Sequence, residues 1–213
     1  MSTEQQMQAL QRLLDKDEIR DSMCRYARGV DRGDWDQVRA AYHPDAHDGH
    51  GDYKGPIDGL IEWLDQRFAG VDNSMHFLGN CLIEFAGPDL ALVETSFVSR
   101  RLRPLSEEER KTLGPKDQMC REGWGRYVDR FERRNGNWAI AYRICLRDWA
   151  NLDERPDMND LTSFTSTRAI LSDEVRAFMN GGPASRRDRG DPSYQRPLRA
   201  DFDRVEACKQ LKG

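Results

Sequence analysis

The residues of this chain that could move a proton near neutral pH are its four histidines. Imidazole has an ordinary pKa near 6.5, so it can act as a general base or a general acid. Three of the four, His43, His47 and His50, lie close together, and His76 stands apart in the segment MHFLGN. A carboxylate bonded to one ring nitrogen would fix the tautomer and leave the other nitrogen free to take a proton. Proton transfer by such a positioned group is worth roughly 10²–10⁴-fold in rate.

The clustered histidines do not form a convincing metal site. Two histidines four residues apart, such as His43 and His47, bind a metal from one face of a helix. Pro44 and Gly49 forbid a continuous helix through this segment. On a strand, His47 and His50 would point to opposite faces of the sheet. The sequence therefore predicts no metal site.

The elements that must position these groups begin with three helices. Apolar residues recur at steps of three and four from the start of the chain, which predicts one long helix with a single buried face. Asp34 is a candidate N-cap for a short second helix, Pro44 would end that helix, and Pro56 would open a third. The buried face of the first helix is predicted to hold Leu10, Leu13, Leu14, Ile19, Met23, Tyr26 and Val30.

After residue 73 the apolar period changes to two, which is typical of strands. Strands are predicted over residues 74–85, 90–102, 124–132 and 138–149, with a polar loop over 104–120. Asn135-Gly136 predicts a tight hairpin between the last two strands. One face of the first strand is predicted to hold His76, Leu78, Asn80, Leu82 and Glu84.

This order of elements predicts the α+β class, with a curved antiparallel sheet wrapped as a cone around the N-terminal helices. Residues 1–150 would form the cone domain, and residues 151–213 would be a C-terminal arm in which periodicity fades. The arm is expected either to wrap its own domain or a neighbouring subunit, or to lie over the mouth of the pocket as a lid.

Four segments carry a resemblance to a known family. They are DKDEIRDSMCRYARGVDRGDWDQV, YHPDA followed by YKGP, MHFLGN, and the hairpin RRNGNWAIA. Over about residues 8–150, the chain resembles the SnoaL-like branch of the nuclear transport factor 2-like superfamily. That branch includes scytalone dehydratase, hexachlorocyclohexane dehydrochlorinase, ketosteroid isomerase relatives and formaldehyde-releasing lyases of lignin-derived compounds. Dioxygenase small subunits share the fold without a catalytic pocket, so the fold alone does not give the function.

The resemblance implies that Asp31 and His76 meet inside the cone as the catalytic pair, with the carboxylate orienting the imidazole. From the residues alone, Asp31 could equally cap a turn and His76 could be a core histidine. The resemblance also aligns the segment of His50 with a pocket-lining strand. Tyr26 could donate a hydrogen bond to a developing oxyanion, and Tyr53 remains ambiguous between the pocket and the core.

The remaining substrate-binding candidates are Tyr127, Arg100 and Arg147, all in predicted strands. An arginine that faced into the cone would bind a carboxylate, a phenolate or a leaving group. Most strand arginines face solvent instead, and Tyr127 could be a core residue. The sequence does not fix which faces are concave.

Composition excludes several classes of partner. A net charge of −4 argues against nucleic-acid binding, and no run of 18 apolar residues is present to span a membrane. The polar N-terminus does not resemble a secretory signal. Five scattered cysteines without a C-x-x-C pair predict reduced thiols and a cytoplasmic location. Dinucleotide, Walker and nucleophile-elbow motifs are absent, which favours chemistry without a cofactor.

Together with these features, the resemblance implies a cofactor-independent lyase that acts on a small apolar, aromatic substrate, with lignin-derived compounds among the candidates. Proton transfer would accompany the loss of water or formaldehyde. The alternatives are an isomerase like ketosteroid isomerase and a non-catalytic subunit or ligand-binding module. The protein is expected to be a homodimer or homotrimer that associates through the outer face of its sheet.

Overall fold

The computed structural model describes residues 1–113, 118–155, 187–189 and 194, and it forms four helices and six strands from them. The helices are α1 (Thr3–Arg32), α2 (Trp35–Arg39), α3 (Ile57–Phe68) and α4 (Glu107–Leu113). The strands are β1 (Tyr42–His50), β2 (Tyr53–Pro56), β3 (Asn73–Phe85), β4 (Leu90–Pro104), β5 (Gln118–Arg134) and β6 (Asn137–Arg155).

The six strands form one open sheet in the order β2-β1-β6-β5-β4-β3. Neighbouring strands are antiparallel except β1 and β6, which are parallel. Register shifts interrupt the β1–β6, β3–β4 and β5–β6 pairings, and such bulges bend and twist strands. The sheet therefore curves around the N-terminal helices, which confirms the predicted α+β class.

Both ends of helix α1 have residues that are typical of helix caps. Ser2 and Gln5 form a reciprocal capping box at its start. Gly33 ends it with a φ of 64°, a left-handed conformation that favours glycine. The prediction that Leu10, Leu13 and Leu14 are buried is wrong: they are 56%, 65% and 54% exposed. The first buried side chain of the helix is that of Asp15, so only its second half packs under the sheet.

A bulge in β3 changes which side chains face inward. Leu78 is opposite Phe97 and Cys81 is opposite Thr95, so two residues of β3 face one residue of β4. His76 and Leu78 point inward before the bulge, whereas Ile83 points inward after it. The predicted single face from His76 to Glu84 is therefore wrong, because an inserted residue reverses the alternation.

The last two strands are longer than predicted. The hairpin at Asn135-Gly136 is confirmed, with φ values of 52° and 84°. β5 begins at Gln118 rather than near Trp124, and α4 occupies part of the predicted 104–120 loop. β6 continues to Arg155, past the predicted end of the domain at residue 150.

The core lies between the concave face of the sheet and helices α1 and α3. Fully burying one large apolar side chain is worth about 1.5–3 kcal/mol, so this cluster dominates the stability of the fold. Its large and deeply buried members include Ile19, Met23, Tyr26, Ile57, Leu60, Leu64, Tyr127, Phe131 and Ile140.

A short described part of the C-terminal arm packs on the junction of α1 and α2 in the same chain. Arg187 donates to the Val30 carbonyl at 2.9 Å, and the Tyr194 hydroxyl donates to Asp34 at 2.9 Å. The Arg28 guanidinium lies 4.0 Å from the centroid of the Tyr194 ring. The predicted lid and the wrapping of a neighbouring subunit fall outside the described residues.

Candidate functional site

A cavity of about 190 Å³ lies on the concave face of the sheet, between the strands and helices α1 and α3. Its inner wall is largely aromatic and its outer part carries arginines. The lining residues are Tyr26, Val30, His50, Gly51, Trp63, Leu64, Arg67, Phe68, His76, Phe97, Ser99, Arg101, Arg121, Gly123, Trp124, Tyr127, Cys145, Arg147 and Ala150.

Asp31 and His76 are in direct contact at this cavity. Asp31 is in the last turn of α1 and His76 is near the start of β3. Asp31 Oδ1 lies 2.6 Å from His76 Nδ1 and accepts from the Ser74 hydroxyl at 2.9 Å. Asp31 Oδ2 accepts from the backbone N–H of His76 at 2.7 Å. Three polar groups thus fix the carboxylate relative to the imidazole.

This geometry determines which ring nitrogen of His76 faces the cavity. A carboxylate accepts hydrogen bonds, so the proton of the neutral imidazole is on Nδ1 and the lone pair is on Nε2. Burial acts to raise the pKa of Asp31, but hydrogen bonds from His76 and Ser74 outweigh it, and the pKa lies below its usual value. Asp31 therefore stays ionised and can stabilise an imidazolium.

Aromatic rings form the wall beside His76. The Phe97 ring stacks on Tyr127 with centroids 4.3 Å apart, and the His76 ring lies 6.3 Å from Phe97. Tyr26 packs edge-on against Tyr127 at 5.6 Å. Burial raises the pKa of both tyrosine hydroxyls, so they remain neutral phenols that can donate hydrogen bonds. This wall suits a flat apolar ring.

Behind the tyrosines lies a fully buried ion pair. Arg143 donates to the two carboxylate oxygens of Asp129 at 2.7 Å each, and to the Tyr42 hydroxyl at 3.1 Å. Its guanidinium lies 4.3 Å from the Tyr26 ring centroid and 4.2 Å from that of Tyr127. The pair therefore supports the rear of the aromatic wall with its charge neutralised.

The buried polar network continues to His50. The Tyr42 hydroxyl donates to Asp48 Oδ2 at 2.6 Å, and Asp48 Oδ1 lies 3.5 Å from His50 Nδ1. Burial acts to lower the pKa of His50, but Asp48 and Cys145 outweigh it and raise the pKa to about 9. This raised pKa favours the imidazolium form of His50, which lies on the cavity wall.

Six of the eight site residues predicted from the sequence come together here. Asp31 lies behind His76, and the other five line the cavity directly. Those five are Tyr26, His50, His76, Tyr127 and Arg147.

The other two predicted residues lie elsewhere. Arg100 points to the outer face of the sheet, where it pairs with Glu122, because side chains alternate along β4 and its neighbour Arg101 points inward. Tyr53 packs beside Trp63, with ring centroids 6.2 Å apart, and donates its hydroxyl to the Pro56 carbonyl. These placements correct the expectation that Arg100 and Tyr53 line the pocket.

Three arginines that line the cavity are not among the predicted site residues: Arg67, Arg101 and Arg121. For Arg101 a signal was present, because it shares its strand face with Phe97 and Ser99, which also line the cavity. Arg121 lay inside the segment predicted as a loop, and Arg67 lies in the last turn of α3.

Other features bear on the remaining expectations. Among the described residues, no group of three His, Cys, Asp or Glu side chains is arranged to hold a metal ion. His43 bonds to the Glu132 carbonyl at 2.9 Å, whereas His47 is exposed, so the clustered histidines diverge. Within the part of the chain that the structure describes, no helix is both long and apolar enough to cross a membrane.

Several solved structures share this fold at low sequence identity. A candidate scytalone dehydratase from Novosphingobium aromaticivorans is 16% identical with a TM-score of 0.56, over 69% of this chain and 95% of that chain. The hexachlorocyclohexane dehydrochlorinase LinA-type3 from Novosphingobium barchaimii is 18% identical with a TM-score of 0.57, over 68% and 94%. A candidate aromatic ring hydroxylase from N. aromaticivorans is 20% identical with a TM-score of 0.54, over 67% and 94%.

These likenesses establish the fold, and their different activities show that it does not determine the reaction. No curated protein sequence matches the chain. The model of the SnoaL-like domain matches residues 11–144, which is more than half of the sequence. Those residues span the elements from within α1 to the first part of β6 and include both Asp31 and His76. The chain therefore belongs to the SnoaL-like domain family.

Proposed function

We propose that this protein is a lyase that needs no cofactor and uses His76, oriented by Asp31, as its general base. The observation that carries the proposal is the 2.6 Å contact between Asp31 Oδ1 and His76 Nδ1, which leaves Nε2 available at the cavity. The relationship of the fold to a dehydrochlorinase and a candidate dehydratase supports elimination chemistry.

The proposed elimination has a simple balance of protons and electrons. His76 Nε2 takes a proton from carbon, the electron pair forms a double bond, and the leaving group departs from the neighbouring carbon. A departing hydroxyl must gain a proton to leave as water. His50, with its pKa of about 9, is the imidazolium that donates it.

Release of formaldehyde would use the same two histidines, but the base would remove a proton from a hydroxyl group and not from carbon. His76 would then deprotonate a primary hydroxyl, and the adjacent carbon–carbon bond would break to give formaldehyde. The electron pair of that bond would expel a neighbouring hydroxyl, which would leave as water after protonation by His50. Both routes require one base and one acid on facing parts of the cavity.

The size and lining of the cavity support a substrate with one enclosed aromatic ring. An apolar cavity of about 150 Å³ accepts benzene, whereas pockets for drug-sized ligands measure about 300–1,000 Å³. The cavity here is about 190 Å³ and has the stacked rings of Phe97 and Tyr127 in its wall. A larger lignin-derived substrate would extend its second ring past the mouth.

The experiment that tests the proposal is an activity screen of the wild type, His76→Ala and Asp31→Asn, with the exposed His47→Ala as the matched control. The panel holds diaryl propanediols, hydroxylated naphthols and a ketosteroid, with formaldehyde and ultraviolet spectra as readouts. We expect loss of turnover by about 10²–10⁴-fold in His76→Ala and no change in the control.

Each other outcome has a distinct meaning. Full turnover by a folded His76→Ala variant contradicts the proposal and removes His76 as the base. Turnover of the ketosteroid alone identifies the isomerase alternative. Ligand binding without turnover of any compound identifies the binding-module alternative.

The outer face of the sheet supports self-association. Phe77, Leu82 and Leu92 on this face are 64%, 61% and 51% exposed in the single chain. We expect a homodimer or homotrimer through this face, and Phe77→Glu should dissociate it in sedimentation experiments.

The four described cysteines are unpaired, which is compatible with the reducing cytoplasm predicted from the sequence.

A further inference from the structure

The mouth of the cavity carries a concentration of positive charge. Arg67 in α3, Arg101 in β4, Arg121 in β5 and Arg147 in β6 all line the cavity that His76 also lines. Arg101 and Arg121 are direct cross-strand partners. Like charges directly opposite each other in a sheet are destabilising, so folding gives no reason for this pairing.

Neighbouring carboxylates do not neutralise this mouth cluster. Within residues 1–113, 118–155, 187–189 and 194, its one ion pair joins Arg67 to Asp52 at 3.9 Å. Asp52 is 75% exposed at its side chain, so this contact is weak. The concentration of charge is notable in a chain whose net charge is −4.

Aromatic rings hold two of these arginines in place. The Arg101 guanidinium lies 4.8 Å from the Phe68 ring centroid, and that of Arg67 lies 4.8 Å from the Trp63 ring centroid. Such contacts orient a guanidinium without neutralising its charge. Burial, and then the charges of Arg121, Arg67 and Arg147, lower the pKa of Arg101 to about 10. The cluster is therefore charged at neutral pH and is strained by its own repulsion.

We propose that Arg67, Arg101, Arg121 and Arg147 form a subsite for an oxyanion carried by the substrate, a carboxylate on an aromatic ring. Anion binding at this subsite can be measured without turnover. Only the claim that the bound anion is a substrate of His76 rests on the proposed function. Guanidinium forks match the paired oxygens of carboxylate, phosphate and sulfonate groups. A ring against Phe97 and Tyr127 would direct such a group toward the mouth and leave its other substituents near His76.

The test is calorimetric titration of the full chain with benzoate, phenyl phosphate, benzenesulfonate and neutral benzamide. We expect an anion to bind at least about tenfold more tightly than benzamide, with affinity that falls as salt rises. Arg101→Gln and Arg121→Gln should each weaken anion binding about tenfold and leave benzamide binding unchanged. Arg100→Gln, which removes the adjacent arginine on the outer face, is the matched control and should change neither.

The outcomes separate this subsite from the proposed reaction. Benzoate affinity no greater than that of benzamide, together with no binding of the other two anions, would overturn the subsite. Equal losses in Arg100→Gln and Arg101→Gln would also overturn it. Tighter binding of phenyl phosphate or benzenesulfonate than of benzoate would support the oxyanion subsite and show that its preferred group is not a carboxylate. His76→Ala should retain anion binding, so loss of turnover with intact binding tests the reaction alone.

Discussion

Two groups of arginine side chains lie on the concave side of the same sheet and differ in how their charge is balanced. Arg143 is fully buried behind the aromatic wall and makes two 2.7 Å hydrogen bonds to Asp129. Arg101 and Arg121, at the mouth, face each other across two strands, and neither has a carboxylate partner among the described residues. The charge of Arg143 is neutralised by a carboxylate inside the protein, whereas the charges of Arg101 and Arg121 are not.

This difference follows from the cost of desolvation. A charge that is removed from water must be paired, because an isolated buried ion costs several kcal/mol. At the mouth the guanidiniums are only partly buried, so they keep some contact with water, and the unpaired cluster can persist at the cost of a lowered pKa at Arg101. The paired region is therefore expected to matter for stability, and the unpaired region for binding.

The largest stability effect is predicted for Arg143→Met. Removing the guanidinium leaves Asp129 buried and unpaired, which should lower the free energy of unfolding by about 3–5 kcal/mol. The measurement is urea unfolding followed by circular dichroism. Arg126→Met is the control, because Arg126 pairs with Asp148 in a solvent-exposed position and should cost less than about 1 kcal/mol.

A double variant sharpens this prediction. Arg143→Met combined with Asp129→Leu removes both charges, so it should be more stable than Arg143→Met alone. Equal losses in Arg143→Met and Arg126→Met would contradict the distinction between buried and exposed pairs.

A smaller, pH-dependent effect is predicted for His50→Gln. The folded pKa of about 9 lies above the ordinary value near 6.5, so the imidazolium stabilises the fold fully below about pH 6.5. That contribution, of up to about 3 kcal/mol, is lost as the pH rises through 9. Unfolding free energies of wild type and variant should therefore converge between pH 6 and pH 10. A constant difference over that range would contradict the raised pKa, and exposed His47→Gln should show no pH-dependent difference.

The smallest effect is predicted for Arg121→Gln at the mouth. Removing one of two opposed charges relieves repulsion, so the free energy of unfolding should stay the same or rise by about 0.5 kcal/mol. Thermal unfolding at low and high salt measures this, and any gain should shrink at high salt. A loss of about 2 kcal/mol or more would mean that Arg121 has a structural partner, and would remove the contrast with Arg143.

Local signals in the sequence were sufficient for much of the fold. The Asn135-Gly136 turn predicted the hairpin because its backbone conformation is specific. Buried positions in the second half of α1 followed the helical period, as for Ile19 and Tyr26. The exposure of Leu10 was not predictable, since it depends on how far the sheet extends along the helix.

The site was less predictable because it depends on which way strand residues face. One inserted residue in β3 reversed the alternation after Leu78. Gly79 lies at that position and is a local signal for a bulge, but a glycine in a strand does not by itself fix the phase that follows. Arg100 and Arg101 are adjacent in sequence and point to opposite faces of the sheet. An error of one residue in the predicted alternation therefore assigns Arg100 to the cavity in place of Arg101. The contact between Asp31 and His76 spans 45 residues and was suggested only by the family resemblance.

The most direct test of the central claim is nitrogen-15 NMR of the histidine rings in the wild type and in Asp31→Asn. In its neutral form, His76 should carry its proton on Nδ1 and present an unprotonated Nε2, and Asp31→Asn should lose that preference. This result would mean that a base faces the cavity before any substrate binds. A wild-type His76 with its proton on Nε2 would contradict the account, because no lone pair would then face the cavity.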